Sequence, residues 1–153
     1  MSKSPSPSRA DDSSQSPLEQ ALRALRRREL SAGEVDRYLT ARGVDQRERD
    51  EVLETLVRTA LVDDRRFAEV RATSLVERGS GDELIRHELA RAGIESELAE
   101  ETVAALPSET ERVARIVARR GPGPKTARYL AGKGFSEDVI ASVIAYSGGE
   151  PLG

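Results

Sequence analysis

The sequence predicts an all-α fold in which three tandem three-helix repeats stack into an elongated, curved array. Apolar residues recur at the three- and four-residue spacing of amphipathic helices, and no segment alternates as a strand does. In addition, a Leu followed four residues later by a Gly and then by a large apolar residue occurs three times, as Leu39–Gly43–Val44, Leu89–Gly93–Ile94 and Leu130–Gly134–Phe135. This is the spacing of a Schellman helix end, in which the Gly is left-handed and the two apolar residues touch. Its recurrence indicates an internal repeat.

The first repeat is predicted at residues 18–63. It follows residues 1–17, a Ser/Pro-rich segment with almost nothing to bury, which we expect to be a disordered tail. Its first helix carries an apolar stripe that begins at Leu18, and its second helix opens with a capping box, Ser31 to Glu34. Gly43 ends the second helix, and a third helix continues to Leu61.

The second and third repeats are predicted at residues 64–107 and 108–147, with a flexible C-terminus at 148–153. Asp63 and Asp64 stand where they cap the first helix of the second repeat, and Ser108 opens the third repeat. After Gly93 and after Gly134 the next apolar stripe begins at the same offset, which supports the repeat.

Composition and charge limit the classes of function. The 153 residues include no Cys, which fits a reducing cytoplasm, and no apolar run long enough to span a bilayer, so we expect a cytoplasmic protein without a membrane partner. We also expect a monomer. The net charge of −3 argues against a strong general nucleic-acid binder. Residues 108–153 are nevertheless basic, with seven Lys or Arg against five Asp or Glu.

No set of residues predicts catalysis, a metal site or a cofactor. Asp63 and Asp64 are interpreted as a helix cap, because no His or third acid lies at ligand spacing. His87 is the only His and is expected at the surface. The segment from Gly121 to Lys125 resembles a phosphate loop, but it lacks a second Gly directly before the Lys. The chain is therefore not expected to be an enzyme.

Basic residues supply the candidate site for a partner or DNA. Arg112, Arg115 and Arg119 share one predicted helix face, which is either a solvated surface or a patch for phosphate or an acidic partner. The same candidate patch includes the basic residues that follow, Arg120, Lys125, Arg128 and Lys133. Arg23 and Arg27 in the first helix form a second, weaker candidate.

The chain resembles the RecX family of bacterial recombination regulators over about residues 18–146. The most specific segment is Asp63-Asp64-Arg65-Arg66-Phe67-Ala68, between the first two repeats. The Leu and Gly residues of the three helix ends (Leu39, Gly43, Leu89, Gly93, Leu130 and Gly134) complete the structural signature.

The resemblance implies a regulator, without a cofactor, that binds the RecA recombinase filament and contacts DNA mainly through it. It further implies inhibition of the ATPase, strand-exchange and coprotease activities of RecA, and so a role in DNA repair, recombination and the SOS response. A helical DNA-binding module and a scaffold with a different partner are the alternatives.

Overall fold

The computed structural model describes residues 14–148, so residues 1–13 of the tail predicted at 1–17 and residues 149–153 of the C-terminus predicted at 148–153 lie outside the described residues. The described residues form nine helices and no strand, which confirms the all-α helical-repeat prediction. In chain order the helices are α1 (Pro17–Arg27), α2 (Ala32–Ala41), α3 (Gln46–Arg58), α4 (Asp64–Glu77), α5 (Asp82–Arg91), α6 (Ser96–Ala104), α7 (Glu109–Arg120), α8 (Pro124–Gly132) and α9 (Glu137–Gly148). The chain divides into two compact units between Phe67 and Ala68.

The first unit packs α1, α2 and α3 around one apolar core. Val35, Leu39 and Leu56 are almost completely buried there. Ser16 and Pro17 were predicted to belong to the tail, but they are the cap and the first residue of α1. Ser16 and Glu19 form a reciprocal capping box, as Ser31 and Glu34 do at α2, so both helix starts are satisfied locally.

The second unit holds α5 to α9 and the greater part of α4. One of its clusters joins α7, α8 and α9 through Val113, Ile116, Leu130, Phe135 and Ile140, all of which are buried. Because every third or fourth residue of α7 enters this cluster, the opposite face of α7 is left to solvent.

The three predicted helix ends are confirmed as Schellman motifs. Gly43, Gly93 and Gly134 have φ angles of 79°, 80° and 89°. The residue after each Gly donates its N–H to the carbonyl of the preceding Leu, at 3.1 Å, 3.0 Å and 3.2 Å respectively. All three Leu residues, Leu39, Leu89 and Leu130, are fully buried, so each end is closed by both hydrogen bonds and apolar contact.

Two further helix ends of the same type escaped the sequence pattern. α4 is followed by the left-handed Gly79, where φ is 81° and the Ser80 N–H donates to the Leu75 carbonyl at 2.9 Å. Near the end of α3, the N–H of Leu61 donates to the Leu56 carbonyl at 3.0 Å, and the left-handed residue is Ala60, with φ 60°. The pattern missed them because a polar residue follows Gly79 and a Gly is lacking at 60.

An acidic residue at the start of one repeat caps the second helix of the preceding repeat. Asp63 caps α4 as predicted, since its carboxylate accepts from the Arg66 N–H at 3.1 Å. Asp64 instead accepts from the Ala32 N–H, the first of α2, at 2.8 Å. Glu109 has the equivalent place in α7 and accepts from the Asp82 N–H, the first of α5, at 3.0 Å. Both acids therefore complete the cap of a helix distant in sequence.

The backbones at the start of α5 and the end of α8 meet directly. The N–H of Gly81 donates to the Lys133 carbonyl at 2.7 Å, and the N–H of Glu83 donates to the Gly134 carbonyl at 3.2 Å. A Cβ at Gly81 would lie 2.3 Å from the Gly134 carbonyl carbon, and a Cβ at Gly134 would lie 2.7 Å from the backbone nitrogen of Leu84. Only glycine allows this approach at both positions.

We predict that Gly81→Ala lowers the free energy of unfolding by about 3 kcal/mol, because the added methyl meets backbone that cannot move aside. Gly132→Ala is the control, since a Cβ there has open space and Ala is the better helix former. The measurement is chemical denaturation followed by circular dichroism. Equal stability of the two variants would contradict the close junction.

We predict that Ala60→Gly raises the free energy of unfolding by about 0.5 to 1 kcal/mol, because a left-handed conformation costs an L-residue more than it costs Gly. Ala41→Gly, an exposed change in the last residue of α2, should lower stability by a similar amount. Thermal melting of the two variants checks the opposite signs, and a loss of stability in both would show that Ala60 is unstrained.

Candidate functional site

An open groove of about 910 Å³ lies in the second unit, between the C-terminal end of α4, one face of α7 and the side of α8. Its apolar floor includes the buried side chains of Ile116 and Phe135 and the half-buried Val76. Four exposed guanidinium side chains surround this floor. We call the site the basic groove and define it by those cations, Arg78, Arg115, Arg119 and Arg120.

Helix α7 supplies three of the four cations because of its register. Val113, Ile116 and Val117 face the core, which directs Arg115 and Arg119, four residues apart, to the outer face. Arg119 and Arg120 also lie in the last turn of α7, where the helix dipole favours positive charge. Arg115 and Arg119 of the predicted face, together with Arg120, thus lie on one wall of the basic groove.

Arg112 departs from the predicted exposed face. Its side chain is 5 % exposed, and its Nη1 lies 2.5 Å from a carboxylate oxygen of Asp82. Its Nη2 donates to the Ser80 carbonyl at 2.6 Å, and the guanidinium lies 5.4 Å from the Phe135 ring centroid. The expectation of a solvent-facing Arg112 is wrong, because Asp82 and the loop before α5 reach α7 from another repeat.

Two aromatic rings in the groove wall are each covered by a guanidinium group of the same chain. Arg120 lies 3.7 Å from the ring centroid of Tyr129, and Arg112 lies over Phe135. The Tyr129 hydroxyl and the Lys133 side chain also approach Gly79, within 3.8 Å and 4.0 Å of where its Cβ would stand. Lys133 is half-buried at this edge rather than fully solvated.

The other predicted basic residues lie apart from the groove lining. Lys125 and Arg128 are exposed on α8. Arg23 and Arg27 are exposed on α1, in the first unit. Their roles as partner or DNA contacts stay predictions.

Arg78 was missed by the sequence reasoning. It lies in the acidic stretch of residues 65–107, so a count of charge along the chain gave no reason to select it. The left-handed turn at Gly79 ends α4 and leaves Arg78 facing α7 across the groove. No local signal could have grouped Arg78 with Arg115, because their proximity depends on packing between repeats.

Arg78, Arg115 and Arg119 form no ion pair with any carboxylate among residues 14–148. One carboxylate, that of Glu77, lines the groove beside the four Arg residues. The site thus presents unneutralised cations around apolar surface, an arrangement that can bind an anionic partner.

The structure offers no acid cluster for a metal within the described chain: no three His, Cys, Asp or Glu side chains are grouped to hold an ion there. His87 is exposed on α5, as expected. None of the described helices is long and apolar enough to cross a membrane.

Comparison with known proteins identifies the family. The model described as RecX, second three-helix domain, matches residues 63–103. A regulatory protein RecX of Chromohalobacter salexigens is 31 % identical over 140 residues, which cover 86 % of this chain and 92 % of that protein. The chain belongs to the RecX family. Another RecX, from Halorhodospira halophila, is 32 % identical over 90 % of this chain and 92 % of its own length.

Solved RecX structures have the same fold. The crystal structure of RecX from Lactobacillus salivarius aligns with a TM-score of 0.74 at 23 % identity, covering 91 % of this chain and 98 % of that one. A second crystal structure of a regulatory protein RecX aligns with a TM-score of 0.70 at 18 % identity and covers 89 % of this chain and 74 % of that one. These likenesses support the all-helical repeat architecture.

We predict that Arg112→Met lowers the free energy of unfolding by about 2 to 3 kcal/mol, because it leaves Asp82 and the Ser80 carbonyl without their guanidinium partner. Arg115→Met, one turn further along α7, should change it by less than about 0.5 kcal/mol, since Arg115 is exposed. Urea denaturation of both variants is the measurement. If the two changes cost the same, Arg112 does not hold the junction.

Proposed function

We propose that this RecX-family protein binds the RecA recombinase filament on DNA and inhibits its ATPase, strand-exchange and coprotease activities. In this way it would modulate recombination, DNA repair and the SOS response. The observation that supports the proposal most is the similarity of 31–32 % identity to regulatory proteins named RecX over most of both chains. The proposal also places the protein in the cytoplasm, as a monomer, where it meets RecA.

The proposed mechanism is steric and electrostatic. The basic groove supplies cations without carboxylate partners in the described chain, so association with an acidic or phosphate-bearing surface would neutralise them. A helical-repeat protein offers a long contact surface, because each repeat packs mainly on its neighbours and leaves other faces free. A protein bound in this way would impede filament growth without any covalent step.

The contact with RecA is proposed to depend on Arg115 and Arg119. We predict that Arg115→Glu with Arg119→Glu raises the concentration needed for half-inhibition of RecA ATP hydrolysis on single-stranded DNA at least roughly tenfold. The reason is that two attractive charges become repulsive at the proposed contact. ATP hydrolysis with purified protein added, and co-sedimentation with filaments, are the measurements.

The matched control is Arg47→Glu with Arg58→Glu, which makes the same change in net charge on exposed residues of α3. Arg47 loses only a surface pair with Glu51, worth at most about 0.5 kcal/mol. The control should inhibit like the unchanged protein. Absence of inhibition and of co-sedimentation by the unchanged protein at several-fold excess over RecA would refute the proposed function.

A further inference from the structure

We propose that the basic groove binds an acidic peptide segment in which a large apolar side chain lies between carboxylates. For the identity of the partner this inference rests on the proposed function, in which the recombinase would supply the segment. The chemistry of the bound segment is argued from the groove alone.

The charge of the groove favours an anionic partner. Arg78, Arg115 and Arg119 have no carboxylate partner among the described residues, and Glu77 is the one acid in the lining. All four surrounding cations are Arg. A guanidinium is a planar fork that holds both oxygens of a carboxylate in two parallel hydrogen bonds. Several such forks around one groove fit a segment with more than one acidic side chain.

The apolar floor favours a peptide over a nucleic-acid strand. The half-buried Val76 and the exposed Ala118 line the groove, and an apolar side chain would remove their surface from water. A phosphodiester backbone has no such group to place there. A single strand would need open aromatic faces for its bases, but Tyr129 is covered by Arg120 at 3.7 Å and Phe135 is 4 % exposed.

The size of the groove matches a short segment. Pockets of about 300–1,000 Å³ enclose ligands with the bulk of a few side chains, and this groove measures about 910 Å³. One apolar anchor with two or three flanking carboxylates would fill it. This is the arrangement of a peptide anchored by one side chain and oriented by charge.

The experiment titrates the ¹⁵N-labelled full chain with the hexapeptide acetyl-DEFGED-amide. We expect binding with a Kd below about 1 mM, with amide shifts concentrated at Val76, Gly79 and Ala118. Two control peptides separate the contributions: acetyl-NQFGQN-amide removes the charges, and acetyl-DEGGED-amide removes the anchor. Each should bind at least roughly tenfold more weakly.

The paired variants locate the site. Arg115→Glu with Arg119→Glu should weaken hexapeptide binding at least roughly tenfold, while Arg47→Glu with Arg58→Glu should leave it unchanged. Failure of the hexapeptide to bind by about 1 mM, equal binding of acetyl-DEGGED-amide, or tighter binding of a twelve-residue oligo-dT at the same amides would each overturn the inference.

The RecA assay on the same protein separates this inference from the proposed function. Inhibition of RecA without peptide binding would refute the peptide site and leave the proposed function standing. Peptide binding without inhibition would establish the groove chemistry and refute RecA as the source of the segment.

Discussion

The second unit depends on the direct contact between the start of α5 and the end of α8. At this point Gly81 and Gly134 have no side chains, so two N–H groups of one helix start reach two carbonyls of another helix end. Arg112 and Glu109 from α7 complete the contact, since each is bonded to the region from Ser80 to Asp82. Backbone groups that lack a partner within their own helices thereby satisfy one another. This junction holds the end of α4 opposite α7, and so creates the basic groove.

A helix cap supplied by an acidic residue of the next repeat occurs twice in the described residues. Asp64 and Glu109 both stand at the first position of a repeat's first helix, and each caps the second helix of the repeat before it. The first residues of α1 and α8 are both proline: Pro17 carries no acid, and Pro124 has no N–H to be capped. Position four of the same helices holds Phe67 in α4 and Arg112 in α7, and both are buried.

Arg112 in α7 thus occupies the position that the ring of Phe67 has in α4, and this places a positive charge in the interior. A buried Arg needs partners, and Arg112 finds them in Asp82, the Ser80 carbonyl and the face of Phe135. The positive charge of Arg112 is therefore paired inside the second unit. The neighbouring Arg115 and Arg119 keep their charge at the surface, above the apolar floor formed by Ile116. The combination of cations and apolar surface distinguishes the basic groove from an ordinary solvated helix face, and supports its proposed role in binding RecA.

The sequence by itself determined the helices, their local caps and the three helix ends that carry the Leu and Gly pattern. These depend on residues three to five apart, such as Ser31 with Glu34 or Leu39 with Gly43, and local hydrogen bonds and side-chain contacts specify them. Only the tertiary structure decided that Arg112 is internal, that Arg78 belongs with Arg115 and Arg119, and that Asp64 caps a helix 32 residues away. Burial and long-range capping depend on which helix faces meet. That choice is made by the packing of whole helices on one another, and spacing along the chain does not record it.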